Sequence, residues 1–86
     1  MMNFKQKQLT EEFFQVLKIK FPEVELIDIT PSPEDPDDLW LNITAPPEEE
    51  REFELMDMAS ERTADILQEY GYSILVMPTR NQVFHA

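Results

Sequence analysis

The chain contains no cysteine. That excludes disulfides, thiolate metal sites and a cysteine nucleophile. It has one glycine, Gly71, so no Gly-rich loop cradles a phosphate and no GxxG loop clamps a nucleic-acid backbone. Its one histidine, His85, is next to last, a poor place to hold a general base. Ser32, Ser60 and Ser73 stand in no motif that supplies a base. No apolar run approaches the roughly 20 residues of a membrane span. The first residues, MMNFKQKQLTEEFF, lack the apolar core of a secretion signal. The chain therefore reads as cytoplasmic, and the Asn42-Ile43-Thr44 sequon as chance.

What is present is acid. The 86 residues carry 18 Asp and Glu against 7 Lys and Arg, a net charge of −11. Residues 1–20 are net +2, residues 21–69 net −14, and residues 70–86 net +1. The acid thus belongs to the middle of the chain. Its field repels nucleic acid and anionic membrane and attracts basic surfaces. Solubility is the plainer reading of the same charge.

Residues 45–71, APPEEEREFELMDMASERTADILQEYG, organise the rest. Pro46 and Pro47 end the preceding strand, and proline suits a first helical turn. Glu48, Glu49 and Glu50 then meet the positive end of the helix dipole. Met56, Ala59, Thr63, Ile66, Leu67 and Tyr70 recur at helical spacing, with Asp57, Glu61, Asp65 and Gln68 on the far side. Gly71 closes the helix at a left-handed cap. Upstream, Leu9, Phe13, Val16, Leu17 and Phe21 predict a first helix over 5–20, with Thr10 able to cap a shorter version and Pro22 stopping it. The strict spacing of its aromatics marks a core face and not a base-stacking platform.

Three strands are expected: 24–30 (VELIDIT), 39–44 (LWLNIT) and 72–77 (YSILVM), the last closed by Pro78. The first alternates imperfectly, so it is either covered on both faces or bulged. Residues 31–38, PSPEDPDD, form a stiff acidic loop. The tail TRNQVFHA carries no firm pattern. The fold class is thus α+β in one domain, 1–86: a two-layer αββαβ sandwich. The expected sheet order is 2-1-3, with the third strand antiparallel to the first and both helices on one face.

Such a sheet leaves one face bare. The alternation puts Trp40 there, with Leu75 and Met77 or Ile27 and Ile29 as neighbours. Two segments, SPEDPDDLWLNITAP (32–46) and ILQEYGYSILVMP (66–78), give the chain its strongest likeness. With the helix between them they resemble a family of short bacterial proteins of cyanobacterial type. The resemblance implies a stand-alone bacterial cytoplasmic domain and assigns no activity or site. The αββαβ order is also loosely similar to KH-type modules, from which this chain departs in charge and in the missing GxxG loop.

The residues point to binding and not to catalysis, with no cofactor and no specific metal. The acids Glu34, Asp35, Asp37 and Asp38 lack the glycine of a calcium-binding loop. The leading expectation is an interaction module of antitoxin or adaptor kind. Asp35, Asp37, Asp38, Glu48, Glu49 and Glu50 would steer a basic protein partner, and Trp40 and Leu75 would hold it. The alternative is a homodimer joined through the bare face.

Overall fold

The computed structural model describes residues 3–80; His85 and most of the tail lie outside them. The elements are α1 (Phe4–Lys20), β1 (Leu26–Pro31), β2 (Leu39–Thr44), α2 (Glu49–Tyr70) and β3 (Ile74–Thr79). The αββαβ order matches the sequence reading, with boundaries moved by a few residues. No described helix is long and apolar enough to cross a membrane.

The start of α1 is set by a capping box not visible in the apolar pattern. Asn3 Oδ1 accepts the Gln6 N–H at 2.7 Å, and Gln6 Oε1 accepts the Asn3 N–H at 3.0 Å. Gln6 Nε2 also donates to the Asp37 carbonyl at 3.2 Å, which ties this helix end to the β1–β2 loop. Thr10 is not a cap. It is buried within the helix, its hydroxyl 3.0 and 2.8 Å from the carbonyls of Gln6 and Lys7.

At the far end of α2, Gly71 has φ +76° and its N–H donates to the Leu67 carbonyl at 2.9 Å. A Cβ added there meets nothing within 4 Å. Gly71→Ala therefore costs only the left-handed backbone penalty, about 1 kcal/mol. A thermal melt should show it as a loss of about 4–8 °C. No loss would mean that the cap contributes nothing to the fold.

The strand order differs from expectation. The sheet runs β1-β2-β3, with β1 and β2 antiparallel and β2 and β3 parallel. The expected order rested on the long helix having to cross a sheet at least three strands wide to bury its stripe, with both helices on one face. Instead the two helices share the covering of that face. They lie antiparallel, the start of α1 against the end of α2: Asn3 Nδ2 donates to the Tyr72 hydroxyl at 3.3 Å and Lys5 sits over the Tyr70 ring. At the other end Arg51 stacks on Phe21, 4.4 Å from the ring centre, and donates to the Lys20 carbonyl at 2.7 Å. With Leu9, Phe13 and Leu17 of α1 in the same core as Leu39, Leu41 and Ile43, α2 has only part of the sheet to cover, and its crossover reaches the adjacent strand.

β2 is central and alternates cleanly, with Leu39, Leu41 and Ile43 buried and Trp40, Asn42 and Thr44 half-buried. Leu39 and Leu41 pair with Ile74 and Val76, and all pack with Leu9, Phe13, Leu17, Phe21, Leu55, Ala59 and Ile66 in one core. The irregular pattern of β1 is a bulge. Leu26 faces Ile43 while Asp28 faces Asn42, which leaves Ile27 as the extra residue. The expected stop at Pro78 also fails, because β3 runs through it to Thr79. Leu39 N–H donates to the Ser73 carbonyl and Ala45 N–H to the Thr79 carbonyl, each at 2.9 Å. Alternation then turns Ile74, Val76 and Pro78 toward the outer edge, which no described strand pairs, so a missing N–H there costs no ladder bond.

Candidate interaction surface

Trp40 and Leu75 do share a face. They are partners across the parallel β2–β3 pair, and Met77 follows beside Asn42, on the side of the sheet away from the helices. The other expected neighbours do not join them. Ile29 pairs with Leu41 and packs on the core, and Ile27 is the exposed bulge residue. Polar groups take their place: Asn42 Nδ2 donates to Asp28 Oδ1 at 2.8 Å and to Thr30 Oγ1 at 2.9 Å. Only Leu75 is exposed among the apolar three, at 43%, so the bare face is more polar than the alternation suggested. The register is the reason, because Ile29 pairs with Leu41 on the helix side and so places Asp28 and Thr30, opposite Asn42 and Trp40, on this face.

The six acids singled out from sequence are not one surface. Asp35, Asp37 and Asp38 precede β2, and Glu48, Glu49 and Glu50 follow it. Six residues of strand set the groups about 20 Å apart, at opposite ends of the sheet. The loop acids are partly occupied with the loop itself: Asp35 Oδ1 accepts the Asp37 N–H at 3.0 Å. Among the described residues, no three acidic or histidine side chains are grouped to hold a metal ion.

A longer acidic feature runs between these ends. Glu50, Glu54, Asp57, Glu61, Asp65 and Glu69 are all exposed on α2, at steps of 4, 3, 4, 4 and 4. They form one ridge about 29 Å long, on the side opposite the buried Leu55, Ala59 and Ile66. Four pairs of like charge stand at i,i+4, an arrangement that costs a helix about 0.2–0.5 kcal/mol for each pair. The ion pairs among the described residues lie elsewhere: Lys18 with Glu25, Arg51 with Glu23 and Arg80 with Glu52. None uses a ridge carboxylate. The signal is in the sequence, as acids recurring three or four apart from Glu50 to Glu69, but the far side of a helix reads first as solvated surface.

Beside the ridge, on the β3 side of α2, lies a shallow groove of about 310 Å³. Met56, Ala59, Thr63, Ala64 and Leu67 form its helix wall, and Leu75 and Val76 its strand wall. Thr63 Oγ1 donates to the Ile74 carbonyl at 2.7 Å and so closes one of the outward groups of the β3 edge. Leu67 and Tyr70, part of the expected apolar stripe, are exposed: Leu67 lines this groove and Tyr70 lies under Lys5.

Electrostatics at the opposite end of the helices are local. The Arg51 guanidinium donates to Glu23 Oε2 at 2.7 Å. This hydrogen bond, with help from the Glu23 backbone, holds the Glu23 carboxyl below its ordinary value of 4.5. The folded state therefore gains from this pair above that pH, and the gain is lost as pH falls through the lower folded value. Glu23→Gln should be less stable than wild type at neutral pH, and the gap should close in acid. Melting temperatures from pH 7 down to about pH 3 check this; a constant gap would assign the effect to packing.

Comparison of the chain with family models, with curated proteins and with solved structures returns no match.

Proposed function

We propose that this chain is a small acidic interaction module that binds a basic protein partner in the cytoplasm, as an antitoxin or adaptor does, and that it is not an enzyme. The ridge on α2, none of whose carboxylates takes part in an ion pair among the described residues, carries this reading. Repulsion between neighbouring carboxylates opposes folding, and no described basic side chain offsets it by ion pairing. A cationic partner relieves that repulsion, and a line of like charge speeds its encounter. Local rules broken without a folding benefit fall most often at functional surfaces.

The test uses two affinity columns and native-host extract. One carries the wild type. The other carries the chain with Asp57→Asn, Glu61→Gln and Asp65→Asn, which keeps the helix and removes half of the ridge. A basic protein should stay on the first column at low salt, leave at moderate salt, and be absent from the second. Identical retention by both columns, or none by either, would leave the acid with solubility alone.

One observation favours a second reading. Trp40, Leu75 and Met77 share the face that the helices leave bare, and tryptophan anchors many interfaces. A homodimer through that face would appear by light scattering without any partner and dissociate on Trp40→Ala.

A further inference from the structure

We propose that the partner docks as an extended segment on the free edge of β3, as a fourth strand, with Lys or Arg at alternate positions facing α2. This rests on the basic-partner reading above and adds where the partner binds and in what form.

The edge offers the main chain what a strand needs. Ile74, Val76 and Pro78 turn outward, as the ladder to β2 requires. The Ile74 carbonyl is taken by Thr63 and Pro78 has no N–H. Among the described residues, that leaves the Ile74 and Val76 N–H groups as donors and the Val76 and Pro78 carbonyls as acceptors. Four main-chain bonds are enough to fix a short segment by β-augmentation.

The groove decides the side chains. Its helix wall includes three small residues, Ala59, Ser60 and Ala64, which let a neighbouring strand approach. Asp57 and Glu61 are the i−3 neighbours of Ser60 and Ala64, so the ridge rises directly beside that wall. A long basic side chain can lay its aliphatic stem over Ala64 and Leu67 and place its charge at Asp57 or Glu61. Strand alternation sends every second side chain to the opposite face, toward exposed Leu75. The occupant is thus an alternating basic and apolar strand. A second copy of this chain fits worse, because pairing two β3 edges brings two acidic ridges together.

The probe is a display library of random ten-residue peptides, selected on the full-length chain. Selected peptides are synthesised, their affinities are measured by fluorescence anisotropy, and amide exchange is followed by NMR. The expected peptides alternate Lys or Arg with aliphatic residues. They should slow exchange at the Ile74 and Val76 amides, and bind at least tenfold more weakly to Ala64→Trp, which fills the groove at an exposed helix position. Basic peptides that bind Ala64→Trp equally well, without protecting these amides, would overturn docking at the edge and leave the basic-partner reading standing. Peptides without basic residues that still lose to Ala64→Trp would overturn the charge assignment and the proposal with it. An empty selection would overturn an extended occupant, while the column experiment judges the basic partner separately. A dimer seen by light scattering and dissociated by Ala64→Trp would hand the groove to a second copy.

Discussion

Phe13→Ala should remove most of the stability of this protein. Phe13 is fully buried at the middle of α1, among Leu9, Leu17, Leu41 and the rest of a single core. Truncating a buried phenylalanine loses its transfer free energy and leaves a cavity, at a cost of about 3–5 kcal/mol. A domain of this size has only about 5–10 kcal/mol in total. The expected result is a melting temperature lower by tens of degrees, or a chain unfolded at 37 °C, by far-UV circular dichroism. Phe53→Ala provides the contrast. Phe53 is 67% exposed, so its truncation should stay within about 0.5 kcal/mol. Similar losses for both would mean that the core is not centred where α1 crosses the sheet.

Glu61→Lys should act in two opposite directions. Glu61 has Asp57 one turn before it and Asp65 one turn after it, all three exposed. The substitution replaces two repulsive i,i+4 pairs by two attractive ones. At about 0.2–0.5 kcal/mol for each change, the fold gains about 1 kcal/mol, or several degrees in a melt. The same change puts a positive charge in the middle of the ridge. Affinity for the basic partner should fall at least tenfold, with a weaker dependence on salt. A variant that is more stable and binds less is the signature of acid retained for binding at the expense of folding. Higher stability with unchanged binding would assign the ridge to solubility, and the partner would have to be sought on the face around Trp40.

Much of this fold can be read from local pattern. The helical spacing of Leu9, Phe13 and Leu17 marks the buried side of α1, and Gly71 marks the end of α2, because a left-handed cap singles out the residue without a Cβ. The alternation of LWLNIT is the alternation seen in β2. Each of these depends on neighbours within one or two turns. Pro78 shows the limit. A proline stops a strand only if its missing N–H faces another strand, and sequence does not say which way it faces.

The candidate surface was legible in part. Trp40 and Leu75 were placed on one face, and the structure pairs them. The acids were legible as residues and not as a surface, since Asp35 and Glu48 lie on opposite ends of β2. The capping box at Asn3 and Gln6 is carried by the Asn-x-x-Gln spacing and not by the apolar period, which by itself places the start of α1 only to within a turn.

By itself, then, the sequence determined composition, charge and the five elements, since these follow from side-chain chemistry and short-range periodicity. Tertiary structure decided the strand order, the bulge at Ile27, the free edge of β3 and the groove beside the ridge. Those depend on which elements share the burial of one apolar face, and here α1 joins α2 in covering the sheet, so that β3 settles next to β2 with its outer edge unpaired among the described residues.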